Sequence, residues 1–227
     1  MQFETIHTFE DFCRQLRRAG FSMGGANAQG VFSLCTQFGP GIEWHTGDPQ
    51  TDPWTWRIRA LTECNDLAYG KLFCGRGGWI TREWYPYFLA VRRAGREFDE
   101  LYADGLAGEM EKRVYHAVRE AGVISAHEIK AELGCTGKAG AKVESALTKL
   151  QMRMFVAMRG ETFKRSKTGE PYGWPVSTFS LSEGLFDPTV FEQAREMGRD
   201  EAAAAIRARI LEMNPACRER DASRFIG

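Results

Sequence analysis

The sequence predicts a predominantly helical α+β fold. Apolar residues recur at helical spacing in several segments, most clearly over residues 110–154 and 200–213. Short apolar runs bounded by glycine lie between such segments and are typical of strands. The chain has 227 residues, 43% of them hydrophobic, and can therefore bury a core in one or two domains.

The charge balance limits the classes of function. Lys plus Arg and Asp plus Glu both number 30, so affinity for a polyanion must come from locally concentrated cations. The cysteines form no Cys-x-x-Cys pair and have no histidine at ligand spacing, which predicts reduced thiols, no metal site and no cofactor. The charged residues 1–20 contain no signal-peptide core, and no apolar run reaches bilayer length. We therefore expect a cytoplasmic protein with no membrane partner.

A first unit, α+β and rich in aromatic residues, is predicted over residues 1–100. Thr8 and Asp11 resemble a capping box for a helix that ends at Gly20. Residues 21–53 are rich in glycine and proline, which favours short strands and turns.

The second half of this unit is aromatic and basic. A helix is predicted from Trp54 through Tyr69, followed by a turn at residues 75–78 and a further helix after Thr81. Aromatic rings interleaved with Arg and Lys can stack on single-stranded bases. Rings at helical spacing more often form a core, and this is the interpretation we prefer.

Residues 101–183 are predicted to form three helices and a hairpin. The first helix stops at Gly122, and Ser125 with Glu128 forms a capping box for a short second helix. The apolar residues of the third helix share one face: Val143, Ala146, Leu147, Leu150 and Met154. An apolar run then enters a glycine-rich hairpin that returns over residues 176–181. Three helices followed by a two-stranded wing are typical of the winged helix-turn-helix.

The third helix carries a cationic row beside its apolar face. On a 3.6-residue wheel the two lie about a quarter-turn apart, as in a helix that enters the major groove. The members of the row are Lys138, Lys142, Ser145, Lys149 and Arg153. The hairpin adds Lys164, Arg165 and Lys167. Because lysine dominates, the pattern predicts contacts to the phosphates of double-stranded DNA rather than a sharp sequence code; a solvated helix face is the alternative.

Three stretches resemble a known family. Ala-Leu-Thr-Lys-Leu-Gln at 146–151, before an apolar strand and a basic wing, resembles the winged-helix module of AlkZ/YcaQ-type bacterial DNA glycosylases. Residues 68–73 and 84–88 are similar to the shorter AlkZ-related proteins, and together the likeness spans residues 54–183. It implies tandem winged-helix units that excise alkylated bases or unhook interstrand crosslinks.

The activity of that family depends on a Gln-x-Gln or Gln-x-Asp motif that positions the attacking water. By letter, Gln50-Thr51-Asp52 matches the second form, so the resemblance makes Gln50 and Asp52 candidate catalytic residues. The surrounding Gly and Pro residues are typical of a turn, which favours a chance match. We predict a DNA-binding protein in repair or regulation, with two alternatives: an active DNA glycosylase, or a protein–protein interaction module without DNA binding.

A C-terminal helical extension is predicted over residues 184–227. Its main helix covers residues 200–213, and a short helix follows Pro215. We expect these helices to pack on the rest of the same chain, which favours a monomer. A dimer contact is the alternative.

Overall fold

The computed structural model describes residues 1–25, 30–166 and 168–227. Lys167, one of the predicted DNA contacts, lies outside the described residues. The fold is α+β and mainly helical, with two small antiparallel sheets, so the predicted fold class is confirmed at this level.

The chain divides into two compact units. Unit 1 consists of Met1–Gly95 and Phe186–Gly227, and unit 2 of Arg96–Leu185. Within the described residues the helices are α1 (Phe9–Ala19), α2 (Pro53–Glu63), α3 (Tyr85–Arg93), α4 (Phe98–Ala103), α5 (Glu109–Ala121), α6 (Ala126–Glu132), α7 (Gly137–Met152), α8 (Thr189–Glu196), α9 (Arg199–Met213) and α10 (Glu219–Ile226). The strands are β1 (Phe21–Met23), β2 (Leu67–Phe73), β3 (Arg76–Thr81), β4 (Ile124–Ser125), β5 (Val156–Arg165) and β6 (Pro171–Leu181).

Unit 1 is built on the sheet β1-β3-β2, in which the central strand β3 is antiparallel to both neighbours. Its first helix is confirmed: the Thr8 hydroxyl accepts the N–H of Asp11 at 3.1 Å, and Gly20 ends α1 with a φ of 90°. Large rings fill the core, and the following are at most 1% exposed: Phe12, Phe21, Trp56, Phe73, Trp79, Tyr85 and Phe88. The core interpretation of these aromatic residues is therefore confirmed.

The helix predicted from Trp54 through Tyr69 is wrong in its second half. Helix α2 ends at Glu63, and Tyr69 belongs to β2, where it pairs with Trp79 of β3. Strand pairing overrides the local pattern, because an aromatic pair across two strands stabilises the sheet; the ring centroids of Tyr69 and Trp79 lie 5.1 Å apart.

The turn predicted at residues 75–78 is also displaced. The chain turns at Cys74 and Gly75, both with positive φ, and β3 already begins at Arg76. Gly78 lies inside the sheet, where an added Cβ would come within 2.8 Å of the carbonyl oxygen of Ser22. Here glycine serves the close approach of two strands rather than a turn.

Unit 2 contains the three predicted helices α5, α6 and α7. Gly122 ends α5 with a φ of 73°. The capping box of α6 is reciprocal: the Ser125 N–H donates to the Glu128 carboxylate at 2.9 Å, and the Glu128 N–H donates to the Ser125 hydroxyl at 3.2 Å. Helix α7 ends at Met152, so the predicted face residue Met154 lies beyond the helix, with a φ of 62°.

The second sheet has the order β4-β6-β5, and its long hairpin β5–β6 is antiparallel. Strand β4 reaches only two residues of β6, Thr178 and Phe179. The outer half of the hairpin, toward Arg165 and Pro171, is therefore a two-stranded ribbon.

Helices α8, α9 and α10 belong to unit 1. All three pack on α3. Arg92 of α3 fixes the last of them, because its guanidinium donates to the carbonyl oxygens of Phe225 and Ile226 as well as to that of Leu72. In the described part of the chain, no helix has the length and apolar character needed to cross a membrane.

Candidate nucleic-acid interface

The first half of helix α7 presents polar and cationic side chains to solvent. Lys138, Lys142 and Ser145 are exposed, whereas the neighbouring apolar face is buried through Val143 and Leu147. This arrangement follows from the 3.6-residue period, because the apolar residues pack toward α5 and β5. Within the described residues, neither lysine has an ion-pair or hydrogen-bond partner. Both ammonium groups are available to a polyanion.

The second half of the predicted row is held by a buried carboxylate. The Lys149 ammonium lies 3.0 Å and the Arg153 guanidinium 3.3 Å from oxygens of Glu111, whose side chain is only 6% exposed. Glu111 belongs to α5, so the two ion pairs join α5 to the C-terminal end of α7. Lys149 and Arg153 consequently present less net charge to solvent than the sequence pattern predicts.

The acid within helix α7, Glu144, is paired as well. The Lys130 ammonium of α6 lies 2.5 Å from its carboxylate. A paired carboxylate repels a polyanion less than a free one. This ion pair therefore leaves the field near Lys138 and Lys142 positive.

The hairpin contributes cations at its outer end. Lys164 stands opposite Tyr172 in the register, and Arg165 stands opposite Pro171. One guanidinium N–H of Arg165 donates to the carbonyl oxygen of Gly169 at 2.9 Å, which orients the side chain without neutralising it. The structure thus places the predicted cations of the helix and of the hairpin in one unit, with Lys167 outside the described residues.

Three exposed aromatic side chains of the hairpin were not identified from the sequence: Phe163, Tyr172 and Trp174. A signal for two of them is present, since Pro171-Tyr172-Gly173-Trp174-Pro175 places two rings around a glycine in a proline-bounded segment. Glycine and proline favour a loop, and rings in a loop have no helix or strand periodicity that would assign them to a core.

Asp52, a candidate catalytic residue, is buried at the start of α2. Its carboxylate accepts the backbone N–H groups of His45 at 3.0 Å, Gly47 at 2.9 Å and Trp54 at 2.7 Å. Burial by itself would raise the pKa of Asp52, but these three hydrogen bonds outweigh it and hold the pKa below its ordinary value. Both oxygens are thus engaged in folding the loop before α2.

Gln50, the other candidate, has an exposed side chain in the same loop. Its backbone N–H donates to the Asp48 carboxylate at 2.9 Å, a local bond typical of an Asx-turn. Gln50 and Asp52 are thus neighbours in the sequence with different environments: the side chain of Gln50 lies in solvent, and that of Asp52 lies in the protein interior.

An open cleft of 850 Å³ lies in unit 1, between the end of β3 and helices α3, α8 and α9. Its two arginines are paired: Arg17 binds Asp66 through two hydrogen bonds, and Arg82 binds Asp187. The remaining charged groups of the lining are carboxylates: Glu83, Glu196 and Glu201. This cleft is consequently ill-suited to a phosphate.

Comparison with known protein families identifies a family for this chain. A family model described as AlkZ related matches residues 6–227. No curated protein and no solved structure matches the chain.

Proposed function

The chain belongs to the AlkZ-related family, and from this premise we propose that it binds double-stranded DNA through unit 2, in DNA repair or regulation. In this function α5, α6 and α7 with the β5–β6 hairpin act as a winged helix-turn-helix, and α7 enters the major groove. The observation that carries it is the exposed face of α7, where Lys138 and Lys142 have no ion-pair partner among the residues that the structure describes.

The proposed contacts are mainly to phosphate. Lys138 and Lys142 supply ammonium groups one helical turn apart, and the Ser145 hydroxyl can donate a hydrogen bond on the same face. Lys164 and Arg165 supply further charge from the hairpin, and Lys167 belongs to the same basic segment. Lys149 and Arg153 have a smaller part, because Glu111 offsets their charge.

Binding to a labelled duplex at several salt concentrations tests the proposal. If four cations meet phosphates, log K should fall with log salt at a slope of about −3.6. The double variant Lys138→Ala, Lys142→Ala should lose about half of that slope and bind roughly tenfold more weakly at low salt. Lys71→Ala, which removes an exposed cation from unit 1, is the matched control and should leave the affinity unchanged.

Two results would contradict the proposal. One is a wild-type affinity that does not depend on salt. The other is a double variant that binds like the wild type. Loss of a cellular protein partner in the same variant would instead favour an interaction module.

Glu111→Gln is expected to strengthen DNA binding. The substitution keeps the shape of the side chain but frees Lys149 and Arg153, so the salt slope should steepen by up to about 1.8 and the affinity rise several-fold. Glu120→Gln, at an exposed position of the same helix, is the control for the change in net charge. Equal slopes for the two variants would show that Lys149 and Arg153 do not reach DNA.

Base excision is not part of the proposal. A glycosylase of the AlkZ/YcaQ type needs a side chain that positions water beside an extruded base. The oxygens of Asp52 already accept three backbone N–H groups, and the residue is fully buried.

A further inference from the structure

The outer half of the β5–β6 hairpin exposes three aromatic rings on a short ribbon. Phe163 is 52%, Tyr172 49% and Trp174 88% exposed. Single exposed apolar residues are common on protein surfaces, but three exposed rings within one short ribbon are not. Folding gains little from a tryptophan that remains in water, so these rings are better explained by a ligand than by stability.

The three rings make no aromatic contact within the part of the hairpin that the structure describes. Among the described residues, none of the three stacks on another ring or takes part in a cation–π contact. The exposed tryptophans of unit 1 differ: the Trp54 ring centroid lies 4.7 Å from the His45 ring and 3.4 Å from the Arg57 guanidinium carbon. Trp174, the most exposed of the three, therefore presents its ring to an external planar group.

Two prolines and a glycine with positive φ shape the backbone around Trp174. Pro171 and Pro175 flank the segment and fix their own φ angles, and Gly173 has a φ of 74° between the two rings. The strand register is irregular between Thr162 and Lys164, at the position that faces this segment. The two prolines thus limit the backbone freedom of this segment at its ends.

Cations accompany the rings. Lys164 stands opposite Tyr172 in the strand register, and Arg165 is the next residue of β5. Aromatic side chains interleaved with cations are the combination that binds unstacked nucleic-acid bases, because the rings stack on base faces and the cations contact the backbone.

From this juxtaposition we infer that the β5–β6 hairpin is a base-stacking element, with Trp174 as its principal ring, and that the preferred ligand is DNA containing unpaired bases rather than a perfect duplex. The inference rests on the proposed DNA binding and makes it more specific. Helix α7 and the hairpin cations hold the phosphates, and the rings contact bases that have left the stack. A fully paired duplex offers the rings no free base face except at the expense of its own stacking.

The experiment compares a fully paired duplex with the same duplex carrying a central run of unpaired bases, one of which is 2-aminopurine. The wild type should bind the second DNA roughly tenfold more tightly, as one stacked base contributes. It should also quench the 2-aminopurine fluorescence. Trp174→Ala should lose both the preference and the quenching, whereas Trp174→Phe should retain most of each. Trp174→Leu, which is apolar but cannot stack, should behave like the alanine variant.

Controls separate this inference from the proposed function. The double variant Lys138→Ala, Lys142→Ala should weaken binding to both DNAs by the same factor, so that the ratio of the two affinities stays as in the wild type. Leu211→Ala removes an exposed apolar side chain from unit 1 and should change neither affinity. Because Trp174 lies in solvent, its variants should melt at the wild-type temperature.

Three outcomes would overturn the stacking role. The first is equal affinity of the wild type for both DNAs, and the second is an unchanged ratio in Trp174→Ala; in both cases salt-dependent duplex binding can still stand. The third is no binding to either DNA, which refutes the proposed function as well and leaves the rings as a surface for a protein partner.

Discussion

Replacing Asp52 with alanine is expected to lower the free energy of unfolding by about 3 kcal/mol, the sum of a lost helix N-cap and of lost hydrogen bonds to a charged acceptor. The carboxylate accepts the N–H groups of His45, Gly47 and Trp54, and the residue is fully buried. Alanine would leave these donors without their acceptor. One of these donors, His45, has a φ of 65°, which is unfavourable for a non-glycine residue, so the Asp52 carboxylate also holds a strained turn in place. Urea denaturation at neutral pH measures the change.

The control for Asp52→Ala is Gln50→Ala. Its side chain is exposed, so the free energy of unfolding should stay within about 0.5 kcal/mol of the wild type. Similar stabilities of the two variants would contradict the structural role of Asp52. If the Asp52 variant is strongly destabilised, a loss of any activity in that variant reports on folding rather than on chemistry.

The contribution of Asp52 should depend on pH. Its pKa is depressed in the folded state, because the backbone hydrogen bonds outweigh desolvation. The stabilisation is then fully present above the unfolded pKa of about 3.9 and disappears as the pH falls through the folded value. The difference in stability between wild type and Asp52→Ala should therefore stay constant from neutral pH to about 4 and shrink below it.

The elements of unit 2 were predictable because their signals are local. The capping box of Ser125 and Glu128 lies within four residues, Gly122 ends α5 with a positive φ, and the apolar face of α7 recurs at helical spacing. Each signal acts within about one turn of helix, so neighbouring residues are enough to recognise it.

The sequence-based predictions fail where residues distant in the chain decide the structure. The β2 segment looks helical by itself, and its pairing with β3 makes it a strand. Glu111 lies 38 residues before Lys149 and 42 before Arg153, so nothing in the local pattern of α7 indicates that these cations are paired. In the described part of the chain, the predicted row of five thus divides into three residues without an ion pair and two, Lys149 and Arg153, that Glu111 of α5 holds. The division is visible only once α5 and α7 are packed together.

Arg92→Met is expected to destabilise the C-terminal helix α10. The Arg92 guanidinium donates to the carbonyl oxygens of Phe225 and Ile226, at the negative end of that helix, and to Leu72 of β2. Its carbon lies 5.3 Å from the Phe73 ring centroid and 4.9 Å from that of Phe88. Methionine can fill the space beside the rings but donates no hydrogen bond. We expect the free energy of unfolding to fall by about 3 kcal/mol, because hydrogen bonds from a charged donor are stronger than those between neutral groups.

Hydrogen exchange locates this effect. The amides of α10 should lose protection in Arg92→Met and keep it in Arg224→Ala, which removes an exposed arginine from the same helix. Burial lowers the pKa of Arg92 to about 10, so the guanidinium remains charged at neutral pH and the comparison is one of charged donor against none.

The same experiment at several protein concentrations distinguishes two roles of the C-terminal helices, packing on their own chain and contact with a second copy. Arg92 and its three acceptors lie in one chain, and the Phe73 and Phe225 rings stack at 3.9 Å beside them, so α10 is held by intramolecular contacts. The loss of protection should then be independent of protein concentration. Recovery of protection at high concentration would instead mean that a second copy covers α10, because only a bimolecular contact is strengthened by mass action.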